Sequence, residues 1–404
     1  MRIAGINMIP YGSTGKIMLQ IAETARGYGM EVRTYSTIPY NKSKKAVEPD
    51  LKNHFVFGSM SENKRHTFLG VLLGRNGCYS RRGTRQLIDD LKQFKPDIVH
   101  LHNLHKFCIN LPMLFRYLQS SGVRVVWTLH DCWPFTGHCP HFTMVKCEKW
   151  KTGCHHCPQL SAYPVSKLDN TKAMYKKKKE WFCGVAHMNL VAPSQWLADL
   201  VKQSFLKAYA IEVINNGVDL SIFQPTPSDF RQTYHLEGRF IVLGVAFGWG
   251  KRKGLDVFIE LSRRLDAEKY QIVLVGTDDI VDKQLPSNII SIHRTQNATE
   301  LAQIYTAADV FANPTREDNF PTVNIESLAC GTPVLTFSTG GSPEVLDETC
   351  GCVVDCDDVD AMEKELIRIC TETPYSRQAC IERAKRFDMY ARFGEYIKLY
   401  QRLG

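Results

Sequence analysis

Long apolar runs are missing from this chain of 404 residues: the longest near its start, residues 68–73, is far too short to cross a bilayer. The first residues, MRIAGINMIPYGSTG, lack a charged segment followed by an apolar one and a cleavage site, so no secretory signal is read there. The expectation is a soluble protein of the cytoplasm. Internal repeats and low-complexity tracts are absent as well, which leaves the pattern of an ordinary globular chain. Charge of one sign is in small excess: 50 Lys and Arg against 42 Asp and Glu leave a formal +8. That excludes a histone-like or ribosomal binder, and no aromatic platform or recognised basic motif supports a nucleic-acid module. It still permits an anionic small molecule or an acidic membrane surface.

What is present is enough apolar material, 44% of residues, to bury a sizeable core in a chain longer than one core usually supports, so two domains are expected. Short apolar runs at residues 3–8, 98–101, 123–129, 190–192, 241–245 and 272–275 alternate with helix-length amphipathic segments. Such alternation is the mark of α/β folds with parallel sheets, whose ligands sit at the carboxyl ends of strands.

Tyr11-Gly12-Ser13-Thr14-Gly15-Lys16 follows the first run. Gly12 and Gly15 let backbone N–H groups approach an anion at a helix N-terminus, although the same residues serve equally as a tight strand-to-helix turn. The G-x-x-x-x-G-K-[ST] spacing is absent. His100, His102 and His105 follow one strand-like run and His130-Asp131 another. The first three are expected to be satisfied, packed histidines. His130 is the functional candidate, because Asp131 beside it can orient an imidazole toward a ligand hydroxyl or a leaving group.

Cys139, Cys147, Cys154 and Cys157 follow at C-x7-C-x6-C-x2-C spacing, interleaved with His138, His141, His155 and His156. Four thiolates within nineteen residues suit tetrahedral Zn²⁺. An iron–sulfur cluster takes the same ligands, but nothing else in the sequence suggests redox chemistry. The reading is a closed structural zinc site that pins a loop next to His130, with no catalytic metal expected. Residues 151–189 then hold seven Lys against Asp169 and Glu180, a local +5, with Met174, Tyr175, Trp181 and Phe182 interleaved. Together with the apolar residues 68–73 near Arg75, Arg81 and Arg82, this stretch admits peripheral membrane contact. A solvated basic helix face is the alternative.

In the second half, GVAFGWGKRKGL at residues 244–255 sets Lys251, Arg252 and Lys253 beside glycines. Cations beside exposed backbone N–H groups are what a diphosphate needs, and a plain basic turn is the other reading. Glu317, Asp318, Asn319 and Phe320 precede Glu326 in a stretch that reads as loop, short helix, turn and strand. Asp318 and Glu326, eight apart, would share one side if the whole stretch were helical and could accept hydrogen bonds from two ends of a ligand's hydroxyl system. Ordinary acids at a helix start explain them equally.

Together the Gly12 to Gly15 loop, His130-Asp131, Asn216-Gly217-Val218-Asp219, Lys253-Gly254 and Asp318-x7-Glu326 with Gly331-Thr332-Pro333-Val334 resemble the retaining glycosyltransferases of family 4. The resemblance covers nearly the whole chain. It implies the α/β GT-B fold of two facing Rossmann-like domains: an acceptor-side domain at 1–205 carrying the cysteine-rich insertion 139–157, a nucleotide-sugar-binding domain at 206–384, and a terminal helix at 385–404 that crosses back to the first. Residues 127–158 are similar to a subgroup that builds bacterial exopolysaccharide and capsule, the colanic acid fucosyltransferases included. That implies a lipid-linked oligosaccharide acceptor and a place at the inner face of the cell membrane.

The resemblance also implies roles. Glu326 bonds the ribose of a nucleotide, Lys253 with Lys251 and Arg252 meets its diphosphate, and His130 lies against the donor sugar. Asn319 and Phe320 belong to the same donor-binding set. Asp318 stands where the family usually has the first Glu of E-x7-E, with Glu317 one residue earlier, and Phe247 stands where an Arg is common. The implied reaction moves a sugar from a GDP- or UDP-sugar to a hydroxyl with retention, by a front-face route that needs no protein nucleophile. The departures at 247 and 318 also admit a catalytically idle nucleotide-sugar-binding scaffold of a polysaccharide assembly complex.

Overall fold

The computed structural model describes residues 1–37, 53–105 and 108–404. The chain divides into two compact units, Met1–Ile214 with Phe393–Gly404, and Asn215–Arg392.

In the first unit, short apolar runs become strands β1 (Arg2–Ile6), β2 (Glu31–Thr37), β3 (His54–Phe57), β4 (Ile98–Leu101), β5 (Arg124–Thr128), β6 (Met188–Ala192) and β7 (Ala210–Val213). They form one parallel sheet in the order β3-β2-β1-β4-β5-β6-β7. Central strands such as β4 are buried along their whole length, because helices cover both faces of a parallel sheet. Phe115, Trp127 and Phe182 interlock on this sheet, with Phe182 centred 4.4 Å from Phe115 and 4.9 Å from Trp127. The sheet grows one way from β1 through β2 and the other through β4. Ligands of such folds bind at that switch, beside the loops that follow β1 and β4.

The second unit repeats the plan with β8 (Phe240–Val245), β9 (Tyr270–Val275), β10 (Ile289–Ile292), β11 (Val310–Asn313), β12 (Val334–Phe337) and β13 (Gly351–Val354). The order β10-β9-β8-β11-β12-β13 is again wholly parallel. Its switch lies between β8 and β11, so the loops after those two strands are where a ligand is to be sought.

Several particulars differ from the sequence reading. The first unit runs past residue 205 to Ile214, because Ala210–Val213 pairs with β6. The aromatic residues near the C-terminus divide: Phe387 stays in the second unit, 5.7 Å from the Phe320 ring, whereas Phe393, Ile397 and Tyr400 are buried in the first. The basic helix Thr171–Cys183 turns Met174, Tyr175 and Phe182 inward, so its apolar residues serve the core and not a bilayer. Lys178 goes inward with them. Among the described residues no helix is long and apolar enough to cross a membrane.

Candidate functional site

In the second unit the loop after β8 ends in a single 3₁₀ turn, Lys251–Lys253, closed by Gly254 at φ +74°. A side chain at Gly254 would meet the Pro314 carbonyl at 2.4 Å, so glycine lets this turn lie directly on the loop that follows β11. Arg316 fastens the two. Its guanidinium bonds both Asp256 oxygens at 2.7 and 2.8 Å, Asp357 at 2.6 Å, and the Lys251 carbonyl. Its backbone N–H donates to the Arg252 carbonyl at 2.9 Å. Lys253 Nζ then reaches Asp318 Oδ2 at 2.5 Å, and Arg252 donates to the Glu317 carbonyl at 3.1 Å.

Asp318 and Glu326 do not share a helix face as a fully helical stretch would require. Asp318 is in the loop, and the helix Thr322–Ala329 starts only after Pro321. Glu326 sits in the second turn of that helix, partly exposed, and accepts from the Tyr305 hydroxyl at 3.3 Å. The helix is locked by buried Asn324, which accepts from Asn313 at 2.7 Å and donates to Ser342 Oγ at 3.0 Å. Glu317 and Asn319 are buried beside Asp318. Phe320 is 4% exposed and packs in the core, so its contribution to a ligand site is positional. Phe247 stands fully exposed on the β8 loop.

In the first unit Gly12 opens the helix Gly12–Gly27, and Gly15 fits a spot where a Cβ would lie 2.6 Å from the Ile9 carbonyl oxygen. Asn7, at the end of β1, organises the switch loops: it donates to the Ile9 carbonyl at 2.8 Å and to Thr14 Oγ1 at 3.2 Å, and accepts the Asn103 N–H at 2.9 Å. The sequence reading passed over it.

The histidines form an ordered set. His100 is buried between Tyr400 Oη at 2.6 Å and Thr128 Oγ1 at 2.8 Å, a satisfied core position as expected. His130 meets His102, Nε2 to Nδ1 at 3.0 Å with the rings stacked. Asp131, which the sequence sets beside His130, bonds a more distant histidine. Its Oδ2 lies 2.8 Å from His105 Nε2 and its Oδ1 accepts the Trp133 N–H at 2.9 Å. Burial pushes His130 down to about 4, with Asp131 opposing and His105 adding to the shift, so at neutral pH it is an uncharged hydrogen-bonding ring. Burial works against the Asp131 charge, yet His105, His141 and the Trp133 N–H hold its carboxyl below the usual range.

Beyond Asp131, the segment Trp133–Phe135 rests on Lys178. That ammonium is 1% exposed, donates to the carbonyls of Trp133 and of Thr136 (2.9 Å), and stands 3.5 Å above the Trp133 ring. Cys139, Cys147, Cys154 and Cys157 line one small pocket with Phe142 and Trp150. Among the described residues, the group of three metal-ligating side chains with donor atoms within 4.8 Å of one another is Asp279, Asp282 and His293, two of them exposed. The four thiols share a pocket at wider spacing.

Residues 17–222, just over half of the chain, match the profile of Glycosyltransferase Family 4. The chain belongs to glycosyltransferase family 4. Residues 238–372 match a second profile, Glycosyl transferases group 1. Thus His130 and the cysteines lie in the family 4 match, and Lys251 through Glu326 in the group 1 match. A putative colanic acid biosynthesis glycosyl transferase of Escherichia coli K12, WcaC, is 28% identical over 273 residues, 65% of either chain, so this family 4 chain spans just under two thirds of that relative. Among solved structures, sucrose-phosphate synthase from Thermosynechococcus elongatus superposes with a TM-score of 0.74 at 18% identity, over 100% of this chain and 98% of that one. Anabaena Alr3699/HepE in complex with UDP-glucose gives 0.70 at 15% identity over 99% of each. At such identities the likeness establishes the fold, and it bears out the α/β GT-B architecture.

Proposed function

We propose that this chain transfers a sugar, with retention at the anomeric carbon, from a UDP- or GDP-sugar to a hydroxyl of a lipid-linked oligosaccharide in exopolysaccharide assembly. The observation that carries the reading is the basic turn Lys251–Lys253, laid against Asp318 at the switch of the second sheet. The complex of HepE with UDP-glucose supports a nucleotide sugar as donor, and WcaC supports the exopolysaccharide setting.

As the glycosidic bond to the diphosphate breaks, negative charge grows on the leaving oxygens. Lys253 and Lys251, held in place by Arg316 and Asp318, stabilise that charge without having to reorganise. Arg252 adds to the positive field of the turn. Glu326 is a hydrogen-bond acceptor for ribose hydroxyls. In the first unit, neutral His130 is the group assigned to a sugar hydroxyl, positioned by His102. For the acceptor, the helix Met60–Leu73 exposes Phe68 and Leu72 one turn apart beside Lys64, Arg65 and Arg75, an apolar pair framed by cations that fits an anionic lipid surface.

The test is a melting-temperature screen against UDP-, GDP-, dTDP- and ADP-sugars, followed by a transfer assay with the stabilising donor and lipid-linked glycans. A shift with one nucleotide and product formed with retention support the reading. A shift without turnover on any such glycan would support the idle scaffold in its place.

A further inference from the structure

We propose that Cys139, Cys147, Cys154 and Cys157 hold one structural Zn²⁺, and that the buried ammonium of Lys178 is the counter-charge of that cluster, tying the metal to the segment that carries Asp131 and Trp133. The four side chains come from one insertion and line one pocket, whose other walls include the stacked rings of Phe142 and Trp150. All of the described cysteines are free thiols, so none of the four is consumed in a disulfide. The Gly137 N–H donates to Cys154 Sγ at 3.2 Å, a bond that favours a thiolate there.

Lys178 is the second, independent observation. A fully buried ammonium normally bonds a carboxylate directly, whereas this one bonds two carbonyls under an aromatic face, and Cys154, Asp131 and Cys139 act on it through space. Four thiolates around one dication leave a net negative cluster, and each thiol that binds gives its proton to solvent. A buried lysine on the Thr136 carbonyl, one residue from the Gly137 N–H that holds Cys154, balances that surplus. The same ammonium grips the Trp133 and Thr136 carbonyls, and Thr136 Oγ1 donates to the Cys139 carbonyl at 2.6 Å. Metal, lysine and the Asp131–Trp133 turn therefore form one continuous polar unit.

The experiment uses the full untagged chain grown with zinc. Elemental analysis should find about one zinc per chain, and the cobalt-exchanged protein should show thiolate-to-cobalt charge-transfer absorption of a four-sulfur site. Cys154→Ser should lose the metal, while Cys183→Ser and His293→Ala, outside the pocket, keep it. Lys178→Met should release zinc to a chelator about tenfold more readily. Folded wild type that takes up no zinc, or zinc that survives Cys154→Ser, overturns the site. Should Cys154→Ser fail to fold, the wild-type cobalt spectrum decides, and one without thiolate bands overturns it equally. An unchanged chelator response in Lys178→Met overturns the counter-charge.

Discussion

Lys253 Nζ lies 2.5 Å from Asp318 Oδ2, with both side chains four-fifths buried or nearly so. The lysine that would meet a diphosphate is thus held by a carboxylate before any donor arrives. Such a pair fixes the direction of a long flexible side chain, and the incoming phosphates take over its charge when they bind.

Lys253→Ala should lower transfer by about 10²–10³-fold while the melting temperature stays near that of the wild type. Asp318→Asn should keep the fold but raise donor KM, because the lysine loses its anchor. Nucleoside diphosphate release at varied donor concentration reads both, and unchanged turnover in Lys253→Ala would remove the basic turn from the site.

His130→Ala should reduce kcat more than KM for the donor. With its ring held neutral by burial down to about 4, the activity of the wild type should show no limb from this residue between about pH 6 and 8. A change in that pH window on mutation would contradict the assignment.

Acid should unfold the protein through histidines that are buried, His66 and His100, or half-buried, His54 and His130. Burial pushes His66 and His100 down to about 3, and His54 and His130 down to about 4, whereas in the unfolded chain all titrate near 6.5. Between about pH 6.5 and 4 the unfolded state binds more protons, so the stability these groups contribute is complete above that window and drains away as pH falls through it. Denaturant midpoints measured at neutral pH and at about pH 5 should decrease in that order.

Tyr400→Phe should cost about 1–3 kcal/mol, because it strips a hydroxyl from a fully buried imidazole. The loss should appear in the unfolding of the first unit and be smaller in a Tyr400→Phe, His100→Leu double variant, measured by denaturant titration.

The pair Phe68→Ser and Leu72→Ser should weaken sedimentation with vesicles containing acidic lipid and leave donor-induced stabilisation unchanged. Equal binding by variant and wild type would remove this helix from any membrane contact.

Much of the architecture was legible because parallel strands are buried on both faces and write themselves as apolar runs: β1, β4, β5, β6, β8 and β9 all fall on runs visible in the sequence. Edge strands β3 and β7 are short and only partly buried, and they left no such trace. The site was legible by residue type and illegible by partner. Leu101 pairs with Trp127, an offset of 26 residues, and the same offset carried forward sets His105 level with Asp131, so the partner of Asp131 depends on sheet register and not on its neighbour His130. The Asp318 to Glu326 spacing invited a helical reading that Pro321 ends. Lys178 looked like one more charge in a basic run, and only its position on the inward face of a helix distinguishes it.

The last turns of the terminal helix set an order of events during synthesis. Residues 1–214 leave the ribosome early, yet Tyr396 and Tyr400, which satisfy Thr128 and His100, are made only after the whole of Asn215–Arg392. At translation speeds of roughly 5–20 residues per second, that delay is on the order of ten seconds or more. Throughout it His100 and Thr128, at the centre of the first sheet, have each other but lack the two tyrosine hydroxyls. The first unit therefore begins folding first and finishes last, and while it waits its open β4–β5 face is a natural place for a chaperone to act.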